Sequence, residues 1–337
     1  MARDRKSRFR LLVIMTGGTI LMDRSQESGA PYSPGDCAPL SDLLRLFTGA
    51  FDFTYLPLFN MDSSNMQPEH WQELARCIHE KYDDFDGFLV LHGTDTLSYS
   101  AAALSFMLHS IGKPVVLTGS QLPLRAPASD GHNNVINSLN LLEADPSGVY
   151  IVFGSQVIRG TRARKVSSFD FQAFVSVNEE PVATIGLKVR WRAGAIIRPK
   201  RGFKLMDRLE QRVALLKIHP GFSPEMLAGC IDSGYLGIML ESYGVGNVPD
   251  SFRALPPLIR RATDKGIVVL VVSQCVTGAT DLTLYQAGQE TLKAGAVSGR
   301  DMTPESALVK LMWALGNFPQ KKVPEMLGKD ICGELGR

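Results

Sequence analysis

Two short motifs of this chain combine glycine with hydroxyl and carboxylate side chains. The motif TGGT occupies 16–19 and HGTDT occupies 92–96, each directly after an apolar run. Glycine permits positive φ and lets a ligand approach the backbone closely. Residues just beyond the carboxyl ends of strands lie where open α/β sheets bind ligands. The two motifs therefore predict one crevice that contains Thr19, Thr94 and Asp95.

Each motif also has a simpler interpretation. TGGT is compatible with a plain strand-to-helix turn or a phosphate-binding loop, although the full G-x-G-x-x-G and G-x-x-x-x-G-K-[ST] spacings are absent. Asp95, taken alone, is at least as well explained as the N-cap of a helix that begins at Leu97. Local sequence leaves both alternatives open.

Two further segments contain polar side chains that could take part in binding or catalysis. Asp62, Ser63 and Ser64 precede a helical pattern, and an ordinary polar turn with a helix cap explains any one of them. Lys165 ends the basic run RGTRARK at 159–165. Nothing in the local sequence distinguishes this lysine from its two arginine neighbours, and most side chains of such a run are solvated.

The elements that must position these residues alternate between strand and helix. This alternation predicts an α/β fold with doubly wound sheets. An apolar stripe predicts a helix over 68–82, and a composition that is apolar nearly all round predicts a well-buried helix over 97–111. The predicted strands are short, nearly continuous apolar runs, as expected for strands buried on both faces: 10–15, 87–91, 114–117, 149–153, 213–218, 235–240 and 267–272.

The chain is long enough for two domains. We expect a larger N-terminal α/β domain with the chemical motifs over 1–194, a linker over 195–212 and a smaller Rossmann- or flavodoxin-like α/β domain over 213–337. The basic stretch 188–204 contains no acidic residue. A solvated hairpin and linker explains it better than a nucleic-acid surface, because few aromatic residues accompany it.

Composition limits the possible partners. The 337 residues include 36 Lys and Arg against 34 Asp and Glu, which gives a formal net charge of +2 and predicts no nucleic-acid or membrane partner. No apolar run approaches the length of a membrane span or of a signal-peptide core. The five cysteines are odd in number and lack a C-x-x-C pair, so we expect no disulfide framework, no metal site and a cytoplasmic location.

Several motifs in order make the chain resemble the L-asparaginase family of amidohydrolases, and in particular its cytoplasmic (type I) bacterial members. The resemblance spans nearly the whole chain. The motifs are TGGTI at 16–20, DSSNM at 62–66, HGTDT at 92–96, LTGSQLP at 117–123, SDG at 129–131 and SYGVGN at 242–247.

The resemblance implies roles for individual residues. Thr19 would be the nucleophile, and Tyr32 looks like the mobile-loop tyrosine that hydrogen-bonds it. Thr94, Asp95 and Lys165 resemble the family's second catalytic set, which consists of a hydroxyl, an acid and a lysine. Asp95 would also bind the substrate's α-amino group. The other expected substrate-binding residues are Asp62, Ser63 and Ser64 for the α-carboxylate, the backbone near Gly93, and Ser120 in the turn that faces the leaving amide.

The expected reaction is hydrolysis of L-asparagine to L-aspartate and ammonia without a cofactor. An amide is unreactive, so a covalent intermediate would divide one difficult hydrolysis into two easier steps. No G-x-S-x-G elbow is present, and none of the six histidines lies in an obvious catalytic motif. The sequence therefore gives no support to a serine-hydrolase triad. With Thr19 as the nucleophile that the resemblance implies, we expect Lys165 to lower the proton affinity of nearby oxygens or to act as a base. Backbone N–H groups near Gly93 and Thr94 would stabilise the oxyanion. Which threonine attacks first stays open.

Two departures from the family pattern bear on regulation and loop closure. Leu21 stands where cytoplasmic relatives often have glycine, and Glu241 stands where some have arginine, which puts a regulatory second site in doubt. The preference for asparagine or glutamine stays open, because it depends on about one methylene of pocket depth. The resemblance suggests a homodimer or homotetramer.

Other functions stay open beside this expectation. Close alternatives are a glutaminase and the protein that releases ammonia for tRNA amidation, which normally carries an added N-terminal domain, whereas only about nine residues precede the first predicted strand here. A distant alternative is a non-catalytic amino-acid sensor. Nucleotide binding rests only on the glycine turns.

Overall fold

The computed structural model of the protein describes residues 8–23, 33–34, 38–196 and 202–336. The described chain forms two compact units. One unit contains the described parts of Met1–Ser176 and Glu180–Leu205, and the other contains Val177–Glu179 with the described part of Met206–Arg337. Each unit has its own sheet with helices, so the predicted two-domain α/β class is confirmed.

The first unit is built around an eight-stranded mixed sheet. Its helices are α1 (Ala38–Arg45), α2 (Pro68–Glu80), α3 (Leu97–Met107) and α4 (Gly131–Glu143). Its strands are β1 (Phe9–Gly17), β2 (Met22–Asp23), β3 (Ser33–Pro34), β4 (Phe51–Met61), β5 (Gly87–Leu91), β6 (Leu108–His109), β7 (Pro114–Thr118), β8 (Gly148–Phe153), β9 (Gln156–Arg159), β10 (Ala163–Lys165), β11 (Phe174–Ser176), β12 (Ala183–Ile185), β13 (Val189–Trp191) and β14 (Lys204–Leu205).

The strand order of the large sheet is β13-β12-β9-β8-β7-β5-β1-β4. Strands β8, β7, β5, β1 and β4 run parallel, whereas β9, β12 and β13 at one side each pair antiparallel with their neighbours. The central strands β5 and β7 are buried along their whole length, as their continuous apolar sequences predict. The parallel strands therefore deliver their carboxyl ends to one edge.

Helix α2 buries the apolar stripe that the sequence predicts. Trp71, Leu74, Ala75 and Ile78 are buried at spacings of three and four, and Pro68 occupies the first turn, where a missing N–H is harmless. Helix α3 is buried on almost every side, as predicted from its composition.

Helix α3 ends earlier than the predicted 97–111. It ends at Met107 because the next two residues form strand β6, which pairs antiparallel with β14. This pairing partner lies almost a hundred residues further along the chain, so no local pattern announces it. Phe203, just before β14, also packs its ring against Tyr82 with a centroid distance of 4.4 Å.

The basic stretch 188–204 is only partly described. Lys188 and Arg190 are exposed in the hairpin of β12 and β13, which agrees with the solvated hairpin expected from the sequence. Residues 197–201 of the predicted 195–212 linker lie outside the described residues.

The second unit contains a four-stranded parallel sheet. Prolines in the first turn begin several of its helices. Thr303 is the N-cap of the helix that begins at Pro304, and its side chain accepts a hydrogen bond from Ser306 N. The elements are β15 (Val213–Lys217), α5 (Pro224–Asp232), β16 (Gly237–Ser242), α6 (Pro256–Asp264), β17 (Val268–Ser273), α7 (Gln286–Lys293), β18 (Val297–Ser298), α8 (Pro304–Asn317) and α9 (Val323–Leu327). The strand order of the sheet is β15-β16-β17-β18.

In the described parts of the chain, every helix is too short or too polar to cross a membrane.

Candidate active site

The TGGT and HGTDT motifs follow two neighbouring parallel strands. Met15 of β1 pairs with Leu91 of β5, so both motifs begin at the same edge of the sheet. The buried Thr16 hydroxyl donates a hydrogen bond of 3.0 Å to the Leu91 carbonyl. Thr16 therefore ties the two strand ends together, and its hydroxyl is occupied in doing so.

Glycines allow the two motifs to touch. Gly18 has φ +84°, and a Cβ at this position would overlap the backbone of Gly93. Only glycine fits here, because both the dihedral angle and the close approach exclude a side chain. Thr19 and Thr94 directly follow these two glycines in the chain, so the contact brings the two motifs together at the strand ends.

Thr19 begins a short 3-10 turn over Thr19–Leu21 and is partly exposed. No described residue forms a hydrogen bond with its hydroxyl, in contrast to the occupied hydroxyl of Thr16. Tyr32, the expected partner of Thr19, lies outside the described residues.

Lys165 reaches this edge from a different part of the unit. It ends β10, which pairs antiparallel with β11. Its Nζ donates hydrogen bonds of 2.8 Å to Thr94 Oγ1 and 2.6 Å to Asp95 Oδ1. The lysine side chain is 19% exposed and the Asp95 side chain 61%, so the cation faces inward while the carboxylate stays open to solvent.

The capping interpretation of Asp95 is wrong. Helix α3 has Thr96 as its N-cap, and the carboxylate of Asp95 contacts Lys165 instead. The Thr96 hydroxyl donates to the Ser63 carbonyl at 2.8 Å.

Ser63 and its neighbours lie at the same edge of the sheet. Asp95 N donates to Ser63 Oγ at 3.2 Å, and Ser63 is buried. A Cβ at Gly93 would lie 2.6 Å from Ser63 Oγ, so this glycine is also required by close packing. Asp62, Ser63 and Ser64 therefore lie directly beside the HGTDT motif.

Asp62 caps the short 3-10 turn over Ser63–Asn65. Its carboxylate accepts a hydrogen bond of 2.8 Å from Ser64 N. Hydrogen bonds from the backbone and side chain of Ser64 lower the pKa of Asp62, and the charge of Lys165 adds to this. The group is therefore an anion that holds the turn.

A third loop, over 119–122, closes the arrangement. A Cβ at Gly119 would overlap the His92 carbonyl, so this loop packs on the HGTDT motif. The buried Ser120 donates its hydroxyl to the Leu122 carbonyl, and Gln121 Oε1 lies 3.5 Å from Thr94 Oγ1. The side chain of Ser120 thus shapes the turn.

Two residues without a predicted role hold that loop in place. The Asp130 carboxylate accepts hydrogen bonds from the backbone N–H groups of Gln121 and Leu122 at 3.0–3.1 Å. The fully buried Asn134 donates to the Gly119 carbonyl at 2.9 Å and accepts from Gly154 N at 2.8 Å. Their spacing of four residues at the start of α4 is the sequence signal for this pair.

His92 is a further buried polar residue at this edge. Its Nδ1 lies 2.7 Å from the Gly93 carbonyl oxygen and its Nε2 lies 2.8 Å from Ser100 Oγ. Burial lowers the pKa of His92 to about 4, although the contact with Gly93 opposes this change. The imidazole is therefore neutral at physiological pH.

The described residues contain no cluster of three or more His, Cys, Asp or Glu side chains with metal-binding geometry.

The fold and this edge define a mixed α/β protein whose candidate site joins a lysine, a threonine hydroxyl and a carboxylate beyond the carboxyl ends of parallel strands. The family model "Asparaginase, N-terminal" matches residues 10–196, and "Glutaminase/Asparaginase C-terminal domain" matches residues 212–326. The chain belongs to the asparaginase/glutaminase family.

Relatives with two different names are equally similar to the chain. An Escherichia coli protein named L-asparaginase 1 is 37% identical over 96% of this chain and 97% of the relative. A glutamyl-tRNA(Gln) amidotransferase component from Pyrococcus horikoshii is also 37% identical, over 96% of this chain and 76% of the relative. The structure of the thermostable L-asparaginase from Thermococcus kodakarensis superposes with a TM-score of 0.90, at 33% identity and covering 97% of this chain and 99% of that one.

Proposed function

We propose that the protein hydrolyses the side-chain amide of L-asparagine to L-aspartate and ammonia. The observation that carries this proposal is the pair of hydrogen bonds from Lys165 Nζ to Thr94 Oγ1 and Asp95 Oδ1, at the edge of the sheet where Gly18 packs against Gly93. A lysine cation that contacts both a threonine hydroxyl and a carboxylate can assist proton transfer and stabilise charge during acyl transfer.

The first step is attack by Thr19 on the side-chain carbonyl. The Thr19 oxygen forms the new C–O bond, its proton passes to the departing nitrogen, and the C–N bond breaks to release ammonia. The product of this step is an ester between the aspartyl group and Thr19. Tyr32 is proposed to hydrogen-bond the Thr19 hydroxyl before attack.

The tetrahedral intermediate requires donors for its oxyanion. The N–H of Thr94 points to no acceptor among the described residues, and Thr94 is 7% exposed. A buried N–H without an internal acceptor is a strong donor for developing negative charge. We propose that Thr94 N–H, with the N–H of Gly93 beside it, stabilises the oxyanion.

Water then completes the reaction. Thr94 Oγ1 accepts a hydrogen bond from Lys165, so its own proton points elsewhere and its remaining lone pair can orient water. The water oxygen bonds to the acyl carbon, the ester C–O bond breaks, and the proton returns to Thr19. No cofactor enters either step.

Substrate recognition uses the groups around this centre. One oxygen of the exposed Asp95 carboxylate bonds Lys165, and the carboxylate can still receive the substrate ammonium. Ser63 Oγ accepts from Asp95 N and keeps its own proton for the α-carboxylate, with Asp62 and Ser64 holding that turn. The turn at Ser120 faces the leaving amide.

A second candidate is glutaminase activity or ammonia release for tRNA amidation. It is supported by the relative from glutamyl-tRNA(Gln) amidotransferase, which is as similar to this chain as the relative named L-asparaginase 1. Under the first proposal the protein is a cytoplasmic homodimer or homotetramer whose partner is the small-molecule substrate, without nucleic acid.

Ammonia release from L-asparagine and from L-glutamine, measured separately over a concentration series, tests the proposal. We expect a higher kcat/KM for L-asparagine. A higher value for L-glutamine would favour the second candidate. A folded protein that is silent on both would contradict the amide substrates proposed here.

A further inference from the structure

A chain of buried hydrogen bonds runs from helix α2 to the HGTDT motif. Trp71 Nε1 donates to Ser100 Oγ at 2.8 Å, Ser100 Oγ lies 2.8 Å from His92 Nε2, and His92 Nδ1 lies 2.7 Å from the Gly93 carbonyl oxygen. Ser100 and His92 are fully buried, and Trp71 is 6% exposed. We call these three side chains the relay.

The proton positions in the relay are determined by its two ends. The indole N–H can only donate and the Gly93 carbonyl can only accept. His92 Nδ1 must therefore carry the proton, and the neutral ring accepts at Nε2. The Ser100 hydroxyl must then accept from Trp71 and donate to His92, so each bond has one possible direction.

The last bond of the relay fixes the orientation of a peptide unit. The carbonyl of Gly93 and the N–H of Thr94 belong to the same planar unit, and in a trans peptide they point in opposite directions. Holding the carbonyl on His92 Nδ1 therefore directs the Thr94 N–H to the other side. That N–H is the donor proposed above for the oxyanion.

We propose that Trp71, Ser100 and His92 are positioning residues that orient the Thr94 N–H for catalysis, an inference that rests on the proposed function. Backbone contacts support the same alignment, because His92 N donates to the Thr118 carbonyl at 2.9 Å. With the ring held on both nitrogens, the imidazole cannot rotate without breaking a buried hydrogen bond.

The relay predicts an effect on kcat that a merely structural role does not. Ser100→Ala removes the hydroxyl that donates to His92 Nε2, so this contact no longer fixes the tautomer of the ring. The bond from Nδ1 to the Gly93 carbonyl is then no longer ensured, and the peptide unit between Gly93 and Thr94 can tilt. We expect kcat for amide hydrolysis to fall about 10- to 100-fold with KM nearly unchanged, since a small misplacement of one oxyanion donor has effects of this size. Trp71→Phe should reduce kcat less, and Ser100→Thr should restore it.

Ser105→Ala is the matched control, because Ser105 lies on the same helix and its buried hydroxyl donates to the Ala101 carbonyl. It should lower stability without lowering kcat. An equal fall in kcat for Ser100→Ala and Ser105→Ala, or a rise in KM alone, would overturn the proposal.

Nitrogen NMR of ¹⁵N-histidine-labelled protein provides a readout that does not depend on turnover. We expect His92 to show a protonated Nδ1 and an unprotonated Nε2, and Ser100→Ala to change this pattern. A protonated Nε2 in the wild-type protein would overturn the relay while leaving the proposed function intact. The expected pattern in a protein that releases no ammonia would instead locate the failure in the proposed function, and the catalytic role of the relay would fall with it.

Discussion

Lys165 Nζ lies 2.8 Å from Thr94 Oγ1, although the two residues are 71 positions apart in the chain. The lysine belongs to an antiparallel hairpin and the threonine to a loop at the end of a parallel strand. This contact joins the two kinds of strand in the first unit at one chemical centre, so the function of the centre depends on both.

Replacing Lys165 by Met should therefore lower kcat strongly. The change removes the cation that contacts Thr94 and Asp95, and we expect a loss of at least about 100-fold, comparable to the loss of one electrostatic stabiliser in other hydrolases. Steady-state ammonia release with matched circular dichroism spectra measures this. Lys188→Met, at an exposed lysine in the same unit, is the control and should be neutral.

Gly93→Ala should weaken substrate binding. The new Cβ would lie 2.6 Å from Ser63 Oγ, which must move, and Ser63 is the proposed partner of the substrate α-carboxylate. We expect KM to rise at least about 10-fold, with a loss of about 1–3 kcal/mol in the free energy of unfolding from overpacking. Gly186→Ala has open space around its Cβ and should change neither quantity. An unchanged KM in Gly93→Ala would remove Ser63 from the binding site.

The sequence made part of this centre predictable. Parallel strands end at one edge, so two motifs after two such strands were expected to meet there, and Gly18 does contact Gly93. Lys165 could not be separated from Arg164 by local sequence. Residues adjacent on a strand point to opposite faces, and which face meets Thr94 depends on the pairing of β10 with β11.

Other features depend on contacts between distant segments. The early end of α3 requires β14, almost a hundred residues further along the chain. The role of His92 requires Trp71 and Ser100, which come from two different helices. Periodicity reports which side of a helix is buried, but it does not report which polar groups meet inside.

His92 should make stability depend on pH. An unfolded histidine titrates near 6.5, and burial lowers the pKa of His92 to about 4 in the folded protein. The unfolded state therefore binds more protons between these values, so the stability present above pH 6.5 is lost as the pH falls toward 4. From this shift we expect a loss of roughly 2 kcal/mol in the free energy of unfolding by pH 5.

Denaturant titrations at pH 7 and pH 5 measure this loss. His92→Gln should flatten the dependence, whereas His219→Gln, at an exposed histidine, should leave it unchanged. An equal slope in the wild-type protein and His92→Gln would show that other groups cause the loss.

The second unit contains a buried ion pair whose disruption should be costly. Lys310 Nζ lies 2.6 Å from Glu334 Oε1, both side chains are fully buried, and the lysine also donates to the Leu327 carbonyl at 3.0 Å. Lys310→Met leaves a buried carboxylate without its cation, so we expect a loss of about 3–5 kcal/mol. Lys293→Met breaks an exposed pair with Glu290 and should change stability by less than about 1 kcal/mol.

The expected loss has two causes, the missing ion pair and the unpaired carboxylate of Glu334, and restoring the charge balance separates them. The double variant Lys310→Met with Glu334→Gln removes the unpaired charge and should recover part of the stability. Chemical denaturation of the wild-type protein, Lys310→Met, the double variant and Lys293→Met measures these differences. A Lys310→Met protein as stable as the wild type would show that the ion pair does not stabilise the second unit.

The most direct test of the central claim compares the two threonines of the TGGT motif. Thr19→Ala removes the proposed nucleophile, whereas Thr16→Ser keeps the hydroxyl that donates to the Leu91 carbonyl. Ammonia release from saturating L-asparagine should fall at least about 1000-fold in Thr19→Ala and stay within a few-fold of the wild type in Thr16→Ser. A folded Thr19→Ala protein that turns over near the wild-type rate would contradict the claim that Thr19 performs the attack.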